Sequence, residues 1–365
     1  MGTCARRHSS RRETMTARIA CRTACAALAA LIAIAASATA QTATPRAKAW
    51  VIPRTADGHP DLQGNWSNAT LTPLERPAGV GRALTPEQVT RLEKIRADTA
   101  EQLSKSSDPN RPAPPKGGDG STGAAGNVGG YNYFWIDAGD HMASINGERR
   151  SSIVVDPADG RVPALTPEAR ARLIERGRRA NSASSFDNPE TRPLSERCVL
   201  SFGSNAGPPM LPNYFYNNNY TIVQNKTHVL IMTEMVHDTR VITMGKTEPP
   251  PKQLRPYMGI SSGRWEGDTL VVETTNFHPQ QTFRGAADNL RVTERFHRVD
   301  ENTILYRFAV TDPTTFSAPW SGELPFVKMN DLIYEYACHE GNYALSNILS
   351  GARAAEREAA AAPKP

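Results

Sequence analysis

Residues 290–311 read LRVTERFHRVDENTILYRFAVT, two runs of alternating apolar and polar residues separated by the turn Asp300-Glu301-Asn302. This period of two is typical of strands with one buried face, so the stretch predicts an antiparallel hairpin. Runs of the same texture, rich in Val, Ile, Thr, Tyr and Phe, cover residues 229–236, 269–277, 290–299, 303–311, 323–327 and 332–338. Because no helical pattern interrupts them, we expect an antiparallel meander over 214–350, closed into a lipocalin-like or half-open β-barrel.

The chain before residue 214 has helix-start motifs and Pro/Gly-rich stretches in place of the strand pattern. The expected fold is therefore mainly β with a helical N-terminal part. Thr85-Pro86-Glu87 and Thr166-Pro167-Glu168 each supply an N-cap, a proline in the first turn and an early acid, which predicts two helix starts. We expect an extended and helical segment with a Gly/Pro-rich loop over 41–130, a small α+β segment packing on the barrel over 131–213, and a flexible tail over 351–365.

The charge of the chain is concentrated at its start. The 42 Lys+Arg and 37 Asp+Glu give a net charge of +5, but the first 40 residues hold six Arg and one Glu, which leaves 36 basic and 36 acidic residues in the remainder. The basic stretch, the apolar run over 24–36 and the small residues ending at Ala40 have the order of a secretory signal peptide. We therefore expect a periplasmic or secreted protein with no stable membrane anchor after cleavage and no nucleic-acid partner.

Cleavage after residue 40 leaves two cysteines, Cys198 and Cys338. In an oxidising compartment they can form one disulfide bond, and the alternative is two buried free thiols.

Two polar clusters are candidates for chemistry. In the first, Glu234-Met235-Val236-His237-Asp238-Thr239-Arg240, a turn at His237-Asp238 would bring the polar groups to the barrel rim. There His237 could act as general acid or base, Asp238 could orient it, and Arg240 could contact an oxyanion. The alternative is a charged hairpin end with a local ion pair.

The second cluster follows Cys338, where His339 and Glu340 form a second acid/base pair. The expected substrate contacts are Glu234, Arg264, Tyr336 and Asn342. No metal site is predicted, because H-E-x-x-H is absent; a divalent metal would need His237, His339 and Glu234 to converge. Nucleotide-binding loops, a G-x-S-x-G elbow and haem motifs are also absent, so no cofactor is predicted.

Three strand carboxylates, Glu273, Glu294 and Glu335, have apolar neighbours in sequence. A carboxylate inside a barrel is costly unless it is paired, so each is either on the solvent face or part of a site. The sequence does not distinguish a packed barrel interior from one that holds a ligand.

Five strings carry a resemblance to a known group: PDLQGNW at 60–66, SERC at 195–198, EMVHDTR at 234–240, GRWEGDTLVVET at 263–274 and YEYACHEGN at 334–342. With them the chain resembles a largely uncharacterised family of secreted proteins from soil and aquatic proteobacteria and acidobacteria, over residues 55–355. The resemblance implies an exported bacterial protein and no particular reaction.

Together these patterns favour an exported, cofactor-independent acid/base enzyme, a lyase, hydrolase or isomerase, acting on a small aromatic or sugar-derived molecule in a barrel pocket. The alternative is a non-catalytic, lipocalin-like protein that binds a small molecule. The sequence leaves the oligomeric state open.

Overall fold

A computed structural model describes residues 50–105, 110, 112, 136–201, 207–213, 217–245, 248 and 250–362, without the side chain of His237. The predicted signal peptide, residues 131–135 of the predicted α+β segment and most of the Gly/Pro-rich loop lie outside the described residues. The three α-helices among the described residues are α1 (Pro86–Leu103), α2 (Pro167–Ala180) and α3 (Tyr343–Ala361). Both predicted helix starts are confirmed: Thr85 and Thr166 each accept a backbone N–H of the first turn.

Twelve strands are described, and most of them belong to one sheet. They are β1 (Gly64–Ser67), β2 (Ser144–Ile145), β3 (Glu148–Arg149), β4 (Val154–Asp156), β5 (Asn219–Gln224), β6 (His228–Thr233), β7 (Thr239–Met244), β8 (Ile260–Glu266), β9 (Thr269–Thr275), β10 (Arg291–Arg298), β11 (Thr303–Thr311) and β12 (Trp320–Met329).

The main sheet closes on itself, and the chain is mainly β with a barrel at its centre, as predicted. Strands β5 to β12 pair in order, and β1 pairs with both β5 and β12, which makes a closed barrel of nine strands. Strand β4 adds to β12 outside the ring, and β2 and β3 form a separate hairpin. Closure leaves the barrel without a free edge along β1.

The barrel differs from the predicted meander in three ways. Strands β7 and β8 are parallel, because the 15-residue connection at 245–259 returns the chain to the same end of the sheet. The barrel does not begin at residue 214, because β1 from the N-terminal segment closes it. The strand predicted at 332–338 is irregular, since β1 already occupies the edge of β12 beyond Val327.

The predicted flexible tail is also wrong over residues 351–361, which belong to α3. This helix begins at an Asn342 cap, whose side-chain oxygen accepts the N–H of Leu345.

The barrel interior is a packed core. Buried apolar residues from most of the barrel strands belong to one cluster. The largest fully buried side chains are aromatic: Trp66, Trp320, Tyr220, Tyr306, Phe277, Phe296 and Phe326. The question that the sequence left open is therefore answered for the described residues, where side chains fill the barrel.

Candidate active site

A buried ion pair crosses the barrel interior. Arg240 of β7 forms two hydrogen bonds to Glu294 of β10, at 3.0 Å and 2.6 Å, and both side chains are almost completely buried. The prediction that the turn brings Arg240 to the rim is wrong, because its alternation in β7 points it inward. Held in this way, Arg240 has no access to an external oxyanion.

The ion pair is part of a larger polar network. The Tyr306 hydroxyl donates to Glu294 at 2.8 Å and accepts the N–H of Met210 at 3.0 Å. Burial alone would lower the pKa of Arg240. The charge of Glu294 and the hydrogen bonds between the two side chains outweigh burial, so the pKa of Arg240 is raised. Burial, followed by the charge of Glu294, raises the pKa of Tyr306. The network therefore joins β7, β10 and β11, and Glu294 is the inward carboxylate that must be paired.

Where β6 ends, a short turn forms the rim of the barrel. After Thr233 the chain makes one 3-10 turn at Met235–His237, and the N–H of Thr233 bonds to the carbonyl of Asp238 at 2.9 Å. Val236 in this turn has φ 63° and ψ 17°, a left-handed conformation that is unfavourable for a β-branched residue. Backbone strain of this kind costs about 1–3 kcal/mol and is concentrated at functional sites.

Glu234 lies at the start of this strained turn and is buried, with 8% of its surface exposed. Its Oε2 accepts a hydrogen bond from Nδ2 of Asn219 at 2.8 Å, and its N–H bonds to the Asn219 carbonyl at 3.0 Å. Oδ1 of Asn219, on the carboxamide that bonds to Glu234, is buried and has no hydrogen-bond partner among the described residues. An unsatisfied buried acceptor next to a carboxylate requires an explanation, and binding of a ligand is one.

The segment that carries Asp137 is fixed at the same rim. Asn218 is fully buried and donates from Nδ2 to the carbonyl of Asp137 at 2.8 Å and to that of Asn213 at 3.1 Å. Arg96 of α1 donates to the carbonyls of Ile136 and Gly139. At Gly139 (φ 84°) an added Cβ would lie 2.6 Å from the backbone N of Thr70, so only glycine permits this close approach.

Asp137 and Glu234 share an electrostatic environment. Asp137 is exposed at the surface. Neighbouring atoms nevertheless desolvate its carboxyl group, which raises its pKa, and the charges of Asp140 and Glu234 raise the pKa further. The N–H of Gly139 and the charge of Arg96 oppose the shift without cancelling it. Two carboxyl groups in unequal surroundings can divide the roles of proton donor and proton acceptor.

A disulfide bond ties the C-terminal segment to this region. Cys198 and Cys338 are bonded, with their Cα atoms 5.7 Å apart, as predicted. Nδ2 of Asn342 donates to the carbonyl of Glu196 at 2.8 Å, and the hydroxyl of Ser201 donates to Sδ of Met235 at 2.7 Å. The disulfide-bonded loop therefore contacts the strained turn.

The other predicted site residues are scattered. His339 and Glu340 are exposed just before α3, and Tyr336 is half-buried in the irregular segment. Arg264 is exposed on the outer face of the barrel, where it forms ion pairs with Glu266 and Glu273. Its predicted contact with a substrate in a barrel pocket is wrong, because it points outward.

Asn342 caps α3 and holds the loop. Asp238 is half-buried beside Thr233, and the role of His237 rests on a side chain outside the described set.

Among the side chains that the structure describes, no three His, Cys, Asp or Glu residues lie close enough to hold a metal ion. The metal prediction includes His237, whose side chain the structure does not describe.

Among the described residues, no helix is long and apolar enough to cross a membrane.

Comparison with known proteins adds no relative: no family model, no curated sequence and no solved structure matches the chain. The site must therefore be interpreted from its own geometry. Sequence reasoning singled out Glu234 but missed Asp137, which has no neighbouring motif. Asn218 and Asn219, which belong to no predicted site motif, supply the side chains that fix Asp137 and Glu234.

Proposed function

We propose that this protein is an exported, cofactor-independent acid/base enzyme, a lyase, hydrolase or isomerase, that acts on a small aromatic or sugar-derived molecule. The reaction would take place at the barrel rim, between Asp137 and Glu234. The observation that carries the proposal is the geometry of the rim, where buried Glu234 begins the strained turn and neighbouring Asn218 fixes the segment of Asp137. The raised pKa of Asp137, caused by desolvation and by the charges of Asp140 and Glu234, supports it.

The proposed roles follow from the surroundings of the two carboxyl groups. The raised pKa of Asp137 favours its protonated form, so we assign it the role of proton donor. Glu234 receives a hydrogen bond from Asn219 that fixes its orientation, and it would accept a proton from the substrate. The free carboxamide oxygen of Asn219 can receive a substrate hydroxyl or amine donor.

Export is supported by two separate features. The first 40 residues have the order of a secretory signal peptide. The disulfide bond between Cys198 and Cys338 fits an oxidising compartment such as the periplasm or the cell exterior.

The function is tested first by a substrate screen. Purified protein is incubated with environmental aromatic compounds and glycosides, and consumption is followed by mass spectrometry. We expect at least one compound to be converted, with Asp137→Asn and Glu234→Gln each lowering kcat at least about 100-fold, the usual contribution of one positioned acid or base.

The matched control is Glu273→Gln, an exposed carboxylate on the barrel exterior that should leave kcat unchanged. Retention of full activity in both Asp137→Asn and Glu234→Gln would overturn the acid/base assignment. A compound that binds the wild type without being converted would favour the non-catalytic binding protein. His237→Ala and His339→Ala test the predicted histidine roles in the same assay, and loss of turnover in a folded variant would support them.

A further inference from the structure

A second site lies away from the Asp137–Glu234 rim, between α2 and the loops at 279–289 and 312–315. It is a cleft of about 460 Å³, within the range of small-molecule sites, about 300–1,000 Å³. Its lining includes Leu173 and Ala287 together with threonine, asparagine, aspartate and arginine side chains. Nothing in the proposed acid/base chemistry uses these residues.

Two arginines of α2 enter this cleft one helical turn apart. Arg172 donates to the carbonyl of Thr314 at 2.9 Å and to the hydroxyl of Thr315 at 3.3 Å. Arg176 donates to the hydroxyl of Thr282 and to the carbonyl of Pro279. Because residues i and i+4 share a helix face, both guanidinium groups lie on the same side of the cleft.

The partners of these two arginines are all neutral. Among the described residues, neither Arg172 nor Arg176 forms an ion pair, whereas Arg178 and Arg179 on the same helix are both bonded to Glu175. Partial burial lowers the pKa of Arg176, and no neighbouring carboxylate reverses the shift. The two guanidinium groups therefore form no direct ion pair, and the two acids that also line the cleft, Asp288 and Asp312, bond to other residues.

The walls of the cleft are fixed before any ligand arrives. Asp312 is buried and accepts hydrogen bonds from the N–H and hydroxyl of Thr314 and from the hydroxyl of Thr315, which holds the turn that Arg172 contacts. On the opposite wall, a Cβ at Gly285 (φ 94°) would lie 3.2 Å from Leu173, so α2 packs closely on that loop. The acid at the rim, Asp288, is engaged by Arg255.

We propose that this cleft binds a small organic anion through its carboxylate, which Arg172 and Arg176 recognise together. A planar guanidinium matches a carboxylate by paired, charge-assisted hydrogen bonds. The hydroxyl of Thr282 and the side chain of Asn289 can bond to further polar groups of the ligand.

The experiment measures thermal stability and binding heat of the intact protein with galacturonate, benzoate and citrate, using galactose and benzamide as neutral counterparts at matched ionic strength. We expect at least one carboxylate probe to raise Tm and to bind. Arg172→Gln/Arg176→Gln should weaken that binding at least 10-fold, and higher NaCl should weaken binding to the wild type.

Arg178→Gln is the matched control, an exposed arginine of the same helix whose loss should leave binding unchanged. Circular dichroism of each variant shows that the fold is kept; if the double variant unfolds, Arg176→Gln alone supplies the comparison. The proposal is overturned if no carboxylate probe binds, if the neutral counterparts bind equally well, or if the folded Arg172→Gln/Arg176→Gln variant, or Arg176→Gln in its place, binds as the wild type does.

Discussion

At the scale of single residues, burial separates two kinds of charged group that look alike in the sequence. Arg240 and Arg264 both stand in strands beside carboxylates, but Arg240 is inside the barrel and Arg264 is outside it. The sequence could show that Glu294 would need a partner if it pointed inward. It could not show that Arg240 is this partner, because the pairing joins strands 54 residues apart.

The two arginines should differ strongly in their effect on stability. Arg240→Ala leaves Glu294 buried without its counter-charge, so we expect a loss of about 3–5 kcal/mol. Arg264→Ala removes only exposed ion pairs and should cost less than about 1 kcal/mol. Urea denaturation of both variants checks this, and equal losses would contradict the assignment of the interior network.

A volume-conserving double variant, Arg240→Met/Glu294→Leu, provides a second check. Because it removes both charges together, we expect it to be more stable than Arg240→Ala. A double variant less stable than the single one would mean that the network stabilises the barrel beyond charge compensation.

Among the helices and strands, the sequence predicted those whose ends are set by neighbouring residues. It failed where two segments compete for the same strand edge. The Thr85 and Thr166 helix starts are set by residues within one turn, and both are confirmed. The segment 332–338 has strand-like composition, but the edge of β12 is taken by β1, and among the described residues the segment forms no strand. Such competition is decided by residues more than 250 positions away, which composition cannot reveal.

The disulfide bond should control how firmly the C-terminal element is attached. Helix α3 has no buried residues, and the bond closes a loop with a sequence separation of 140. In the chain-entropy model its loss costs about 5 kcal/mol. For Cys198→Ser/Cys338→Ser we therefore expect a lower unfolding midpoint and faster hydrogen exchange over 343–361, before exchange rises in the barrel.

The matched control for this experiment is the wild type under oxidising and reducing conditions, where the reduced protein should behave like the double variant. Unchanged protection of 343–361 in the variant would mean that Asn342 and the remaining contacts suffice to hold the helix.

At the scale of the whole molecule, the barrel depends on a strand from the N-terminal part of the chain. Trp66 of β1 is fully buried, and its Nε1–H bonds to the carbonyl of Leu62 at 3.0 Å. Strand β1 lies 152 residues before β5, so the barrel cannot be a separate domain that begins at residue 214. The sequence predicted the fold class correctly, but not this closure, because PDLQGNW is short and rich in turn-forming residues.

A chain that begins at residue 214 should therefore fail to fold. Without β1, the edges of β5 and β12 are unpaired, and we expect aggregation and no cooperative thermal transition. A chain that begins at Val51 is the control and should unfold cooperatively. A cooperative transition in the shorter chain would show that eight strands are enough.

Whether Asp137 and Glu234 form one acid/base site can be tested without a substrate by 13C NMR titration of the carboxyl groups. The Asp137 signal is assigned by its loss in Asp137→Asn, and Glu273→Gln serves as a control that should not move it. We expect a pKa for Asp137 above the usual value of about 3.9, which falls in Glu234→Gln because one neighbouring negative charge is removed. An ordinary pKa that is the same in the wild type and in Glu234→Gln would contradict the claim.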